Sequence, residues 1–147
     1  MATRLLSPNN WSGAPKLHEA GLSPRELTKI AAYVEDHIEQ PITLAKLAAV
    51  AKLSLSHFAR VFKHSTGITA MSFVQQCRIR RAQMLILERD LPLVEIALMT
   101  GFSDQSHFTR RFRLHAGCTP AAFARENGCR RAAQRLSETC QPSNHRC

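Results

Sequence analysis

An all-α fold of about seven helices, made of two helix-turn-helix units joined by a long linker helix, is what this 147-residue sequence predicts. Three observations lead there. Ser56-His57-Phe58 returns as Ser106-His107-Phe108, followed in step by Arg60 and Arg110, Phe62 and Phe112, Gly67 and Gly117, Thr69 and Thr119, and Phe73 and Phe123. Self-similarity at a fixed period marks one supersecondary unit used twice. Apolar residues recur at helical spacing, and no stretch alternates in the manner of a strand. Helix start and stop signals bracket the periodic segments.

The repeat extends upstream with its register slipped by one residue. Leu44, Leu47, Ala48, Leu53 and Ser54 pair with Leu93, Ile96, Ala97, Phe102 and Ser103, so the second copy carries one extra residue before its Ser-His-Phe.

Residues 1–22, with Pro8, Asn9, Asn10, Gly13, Pro15 and Gly21 and no apolar period, read as a flexible leader, in which Trp11, the only tryptophan, could still dock. Ser23 then offers an N-cap, Pro24 a first helical residue and Glu26 a capping-box partner. Leu27, Ile30, Ala31, Val34 and Ile38 follow on one helical face, and Pro41 closes the connection behind them. Thr43 caps a short helix to about Val50, and Ser54 caps another to about Ser65, where Gly67 stops it. A long helix covers Thr69 to about Arg89. Phe73, Val74, Cys77, Met84 and Leu85 form one apolar side of it and Ile79, Ala82 and Ile86 another, so it should be packed on two sides. After Asp90-Leu91-Pro92 the pattern restarts: a short helix to about Thr100, a turn at Gly101, a helix from about Ser103 to His115, and Thr119-Pro120 opening a last helix to about Asn127. The units are thus 23–68, a linker helix 69–89, 90–127, and a basic tail 128–147 with a short helical stretch between Arg130 and Leu136.

Charge narrows the partners. Lys plus Arg number 20 against 11 Asp plus Glu, a net charge of +9, which favours phosphate-bearing partners or an anionic membrane. The basic residues cluster as Arg78, Arg80 and Arg81, as Arg110, Arg111 and Arg113, and as Arg130, Arg131 and Arg135, and such clusters predict binding surface. No apolar run reaches membrane-span length and no signal-peptide core begins the chain, so a soluble cytoplasmic protein without a membrane partner is expected. The five cysteines are odd in number and widely spaced, which argues for reduced thiols, with Cys77 and Cys118 as core fillers. The tail set Cys129, Cys140, His145 and Cys147 lacks zinc-finger spacing, so no metal is expected. The acidic residues do not converge with a nucleophile or base, which argues against an enzyme and against a cofactor.

On a helical wheel at about 100° per residue, Leu55, Phe58, Val61 and Phe62 share one side of the helix after Ser54, while Ser56, Arg60, Lys63 and His64 face the other. In the second copy Phe108 and Phe112 oppose Ser106, Arg110 and Arg113. Each helix is anchored by two aromatics and presents an arginine outward. The major groove of B-DNA admits one helix, and arginine can bond guanine O6 and N7 bidentately. For His57 and His107 two readings stand, a phosphate contact or packing against the preceding helix, with packing preferred. A linker of some 20 residues spans about 30 Å, close to the roughly 34 Å between successive major-groove openings on one side of a duplex. Because the two readers differ (Ala59 against Thr109, Lys63 against Arg113), the site should be asymmetric.

The run from Ile96 to Phe112, Ile-Ala-Leu-Met-Thr-Gly-Phe-Ser-Asp-Gln-Ser-His-Phe-Thr-Arg-Arg-Phe, closely resembles the signature of the AraC/XylS family of bacterial transcription regulators. The resemblance covers about Leu22 to Asn127. It implies a seven-helix unit of two helix-turn-helix subdomains, acting on double-stranded promoter DNA and usually activating transcription through RNA polymerase contacts. It also implies base reading by Ser56, Ala59 and Arg60 in the first unit and by Gln105, Ser106, Thr109 and Arg110 in the second. Ala59 departs from the longer polar residue that some members have there. Phosphate contacts are assigned to Thr43, Lys63, His64, Arg111 and Arg113. The chain is similar to the short stand-alone members, which act as monomers on DNA. Two alternatives stay open: the truncated DNA-binding half of a larger effector-sensing regulator, and a helical protein-interaction module.

Overall fold

The computed structural model describes residues 21–88 and 90–128, and these contain helices and turns with no strand. The helices are α1 (Pro24–Asp36), α2 (Leu44–Val50), α3 (Leu55–Thr66), α4 (Ala70–Glu88), α5 (Leu93–Met99) and α6 (Gln105–Ala116), followed by α7 over 120–128. Trp11, Arg89 and the whole tail from Cys129, with its cysteine–histidine set, its arginine cluster and its expected short helix, lie outside the described residues.

Local chemistry sets the helix ends. Ser23 Oγ accepts from the Glu26 N–H at 3.3 Å, and Glu26 Oε2 accepts from the Ser23 N–H at 2.8 Å. This reciprocal box satisfies two donors that a helix start leaves free. The Ser23 backbone bond also holds the Glu26 carboxyl below its ordinary range. Thr43 caps α2 through Lys46 N and Ser54 caps α3 through His57 N, both at 3.3 Å. Gly67 and Gly117 close α3 and α6 in the left-handed region, with φ of 78° and 79°. Thr119 Oγ1 accepts from Ala122 N at 3.3 Å at the start of α7.

The slipped register is resolved differently from its sequence alignment. Leu53 N donates to Ala48 O, and Phe102 N donates to Ala97 O, each at 3.0 Å, so these turns correspond down to Leu53 and Phe102. The cap of α6, however, is Asp104, whose Oδ1 accepts from His107 N at 2.7 Å. Ser103 is therefore the inserted residue, not the counterpart of Ser54. The His107 N–H bond lowers the Asp104 pKa, which keeps a carboxylate at the helix start.

Two separate cores result. Ile30, Val34, Leu47, Ala48, Phe58, Val61, Phe62, Phe73, Val74 and Cys77 fill the first. Ile79, Ala82, Leu85, Ile96, Ala97, Phe102, Phe108 and Phe112 fill the second. α4 serves both, and it divides along its length as well as around its axis: residues up to Cys77 enter the first core, Ile79 onward the second. Met84, expected on an apolar side, is exposed, while Leu85 and Ile86 next to it turn toward the second core. Burial pushes the Cys77 thiol up to about 11, as expected of a core filler, whereas Cys118 is only half-buried.

Other expectations need correction. Ile38 is buried beyond the end of α1 rather than within it, since the helix stops at Asp36 and the chain turns the residue back onto the core. Leu22, assigned to the leader, is buried, and its N–H donates to Ser65 Oγ at 2.8 Å. Leu55 is 49% exposed, not in the core: as the first residue of α3 it projects past the edge of the packed face. Arg78, counted in a basic surface cluster, is 9% exposed and turned inward.

Candidate nucleic-acid interface

The two helices that carry the repeated phrase are held by aromatic chains. Phe58 and Phe62 are buried and tilt against each other at 5.5 Å between ring centroids, and Phe62 meets Phe73 edge-on at 5.6 Å. In the second unit Phe102, Phe108, Phe112 and Phe123 form a continuous series with steps of 5.3, 5.6 and 5.6 Å. Offset and edge-on contacts of this kind add to area burial and restrict rotation of each helix about its own axis. The outward face of each helix is thereby fixed by what is packed beneath it.

On α3, Ser56, Arg60, Lys63 and His64 are exposed and Ala59 is half-buried. On α6, Gln105, Ser106, Arg110 and Arg113 are exposed and Thr109 is half-buried. Gln105, Ser106, Thr109, Arg110, Arg113 and Thr119 line one open depression. The structure thus brings all four expected base readers of the second unit, together with Arg113, onto one surface. Thr119, which sequence reasoning used only as a cap, joins them there.

Three assigned positions stand apart. Arg111 is half-buried, and its Nε donates to His107 Nε2 at 3.4 Å, so it lies on the flank of α6 rather than the reading face. Thr43 is exposed at the start of α2, with its hydroxyl accepting from Lys46 N and its proton still available to an acceptor. His64 occupies the edge of the α3 face. Of the paired histidines, His107 packs edge-on against Phe102 at 5.5 Å, in the turn before α6 rather than on the preceding helix, while His57 is exposed.

Sequence reasoning missed Leu55. It opens α3 as Gln105 opens α6, and both are exposed. Wheel counting placed it with the phenylalanines; counting from the cap, which is equivalent in the two units, would have placed it with Gln105. The exposed face of α3 therefore begins with an apolar group where that of α6 has an amide.

A family model described as "Helix-turn-helix domain" matches residues 47–126, more than half of the chain. A solved transcriptional regulator from Chromobacterium violaceum, titled with an AraC-type DNA-binding domain, superposes with a TM-score of 0.66 at 27% identity over 70% of this chain and 92% of that one. The chain belongs to the AraC-type helix-turn-helix family. The all-α, two-unit architecture is that of this AraC-type domain. The DNA-binding domain of AdpA, solved in complex with a target DNA, is equally similar in shape, with a TM-score of 0.66, 28% identity, and 70% and 93% of the two chains covered. Among curated relatives, the probable transcriptional regulator LumQ of Photobacterium leiognathi is 42% identical over 74 residues, half of this chain and 30% of that protein. The chain spans about a third or less of the length of the curated relatives it matches. Among the described residues, no helix of this AraC-type domain is long and apolar enough to cross a membrane.

Proposed function

We propose that this AraC-type chain is a sequence-specific regulator of transcription that places α3 and α6 in successive major grooves of an asymmetric promoter site. The observation that carries the reading is the pair Arg60 and Arg110, exposed at equivalent points of two helices whose orientation buried phenylalanines fix. Nineteen residues of α4 span about 28 Å at ~1.5 Å per residue, short of one duplex turn, so the bound DNA bends toward the protein. Ser56, Ala59 and Arg60 read one half-site; Gln105, Ser106, Thr109 and Arg110 read the other. Leu55 adds an apolar contact of the kind that suits a thymine methyl. Thr43, Lys63, His64, Arg111 and Arg113 meet phosphates. The chain binds as a monomer in the cytoplasm, at the nucleoid, and activates through contact with RNA polymerase.

Selection from randomised duplexes, followed by sequencing, tests the reading directly. Arg110→Ala should relax base preference in one half of the selected site and Arg60→Ala in the other, each by about 1–3 kcal/mol of discrimination. Lys63→Ala should weaken all duplexes alike. Uniform loss of affinity in both arginine variants, with the preferred sequence intact, would overturn the assignment of readers.

Salt gives an independent check. Lys63, Arg111 and Arg113, each releasing ~0.9 counterion, predict about a 40-fold loss of affinity between about 50 and 200 mM salt. Fluorescence anisotropy on a labelled duplex measures the slope, and affinity indifferent to salt would exclude these contacts.

A further inference from the structure

Two cores that share only a linker leave open what holds the two readers at one angle. α4 packs against α1, α2 and α3 on one side and against α5 and α6 on the other. Between its last residue in the first core, Cys77, and its first in the second, Ile79, stands Arg78. Its Nη2 donates to the Gln40 carbonyl oxygen, between α1 and α2, at 2.8 Å. Its guanidinium carbon lies 5.9 Å from the centre of the Phe102 ring, in the turn between α5 and α6. Gly101, beside that ring, sits so close that a Cβ there would come within 2.9 Å of the guanidinium and would also collide with the Ile38 carbonyl oxygen. The segment around residues 38–40 of the first unit and the turn at 101–102 of the second therefore meet around one side chain.

We propose that Arg78 is a positioning residue that locks the two helix-turn-helix units at one relative angle and so sets the half-site spacing the chain accepts; this rests on the DNA-binding reading above. Arginine suits the task because its planar fork can bond a carbonyl and lie over an aromatic ring at the same time, which a lysine ammonium cannot reproduce. Stability alone does not account for it. A guanidinium stays charged when buried, its Nε has no hydrogen-bond partner, and burying a partly satisfied charge is costly compared with an apolar side chain. What the charge contributes is direction: a short bond to one unit and a face-on contact to the other fix a geometry that apolar contact would leave free to slide.

The consequence for recognition follows from duplex geometry. One added base pair shifts the second half-site by about 3.4 Å and turns it by about 34°. A rigid pair of readers loses the second half-site under that change, while a pair free to rock recovers part of it.

The full chain with Arg78→Met, which keeps the length and much of the apolar stem, tests this in two ways. Without DNA, amide residual dipolar couplings of the parent should fit a single alignment tensor across both units. In the variant each unit should still fit well internally, but with its own tensor. With DNA, the selected site is compared with versions carrying one or two base pairs more or fewer between the half-sites. The parent should lose about 30-fold or more per step, whereas the variant should lose about tenfold at the native spacing and discriminate less than about threefold between spacings. A variant that keeps the single tensor and the parent's spacing penalty would overturn the proposal. Should Arg78→Met fail to fold, Arg78→Lys, which retains the charge without the fork, is put through the same measurements with the same expected outcomes. If the parent binds no duplex, the DNA reading fails, and the couplings still decide whether Arg78 locks the units.

Discussion

Replacing Phe108 with alanine is expected to destabilise the second helix-turn-helix unit by about 3–5 kcal/mol, the range for truncating a fully buried phenylalanine. Its ring is completely buried and touches both Phe102 and Phe112, so the cavity opens at the centre of the aromatic series and cannot collapse from one side. A loss of that size is a large fraction of the roughly 5–15 kcal/mol by which a domain of this kind is stable. Because Phe108 belongs to the second core alone, the effect should be local: α5, α6 and α7 lose protection while α1, α2 and α3 keep theirs. Hydrogen exchange resolved by residue measures this, and thermal unfolding should show a fall of more than about 12 °C for the second unit. Specific binding should fall to the weak level of a single half-site. Equal loss of protection in both units would show that the two cores unfold as one.

Gly101→Ala carries the second large effect, and comparison with its neighbours isolates the cause. Gly67, Gly101 and Gly117 all have φ near 78°, a region where a side chain costs about 1–2 kcal/mol. Around Gly67 and Gly117 a Cβ would meet nothing within 4 Å, so alanine at either should cost about 1 kcal/mol, the backbone term alone. At Gly101 the same Cβ would strike the Ile38 carbonyl oxygen and the Arg78 guanidinium, backbone on one side and a held side chain on the other. A loss of about 3 kcal/mol or more is expected there, from strain and collision together. Urea denaturation of the three variants checks the ranking. Equal losses at all three would mean that the turn yields and that the contact with the first unit is not tight. Lys52 makes the same point from the other unit: it stands at the matching turn with φ of 56°, and there an exposed side chain is accommodated.

Much of the fold and of the site was legible from residue order because the signals are local. The Ser23, Thr43, Ser54 and Thr119 caps, the glycine stops and the 3.6-residue period are properties of a few consecutive residues, and each helix was placed to within a residue or two by them. The outward turn of Arg60 and Arg110 followed from the same period, since their opposite faces carry the phenylalanines. Errors arose where position depended on a neighbour distant in sequence. Wheel counting gave Leu55 and Met84 an apolar side, but both are exposed: Leu55 is the first residue of α3, and beside Met84 it is Leu85 and Ile86 that pack into the second core. Asp104 displaced Ser103 as the cap because the inserted residue extends the turn before the helix begins, and a cap is chosen by backbone geometry rather than by best alignment.

Residue order by itself determined that the described residues are helices and turns, that one helix-turn-helix unit is used twice, and that α3 and α6 each have an arginine on the face opposite their aromatics. Those properties follow from helix periodicity and capping, which act over a turn or two. Only the tertiary structure decided which basic residues belong to the surface and which to the seam. Arg78, Arg80 and Arg81 are equivalent in composition, yet Arg78 alone is buried, because Gln40, Gly101 and Phe102 converge on it from both units. Burial is a property of what surrounds a side chain, and those surroundings come from segments separated by dozens of residues.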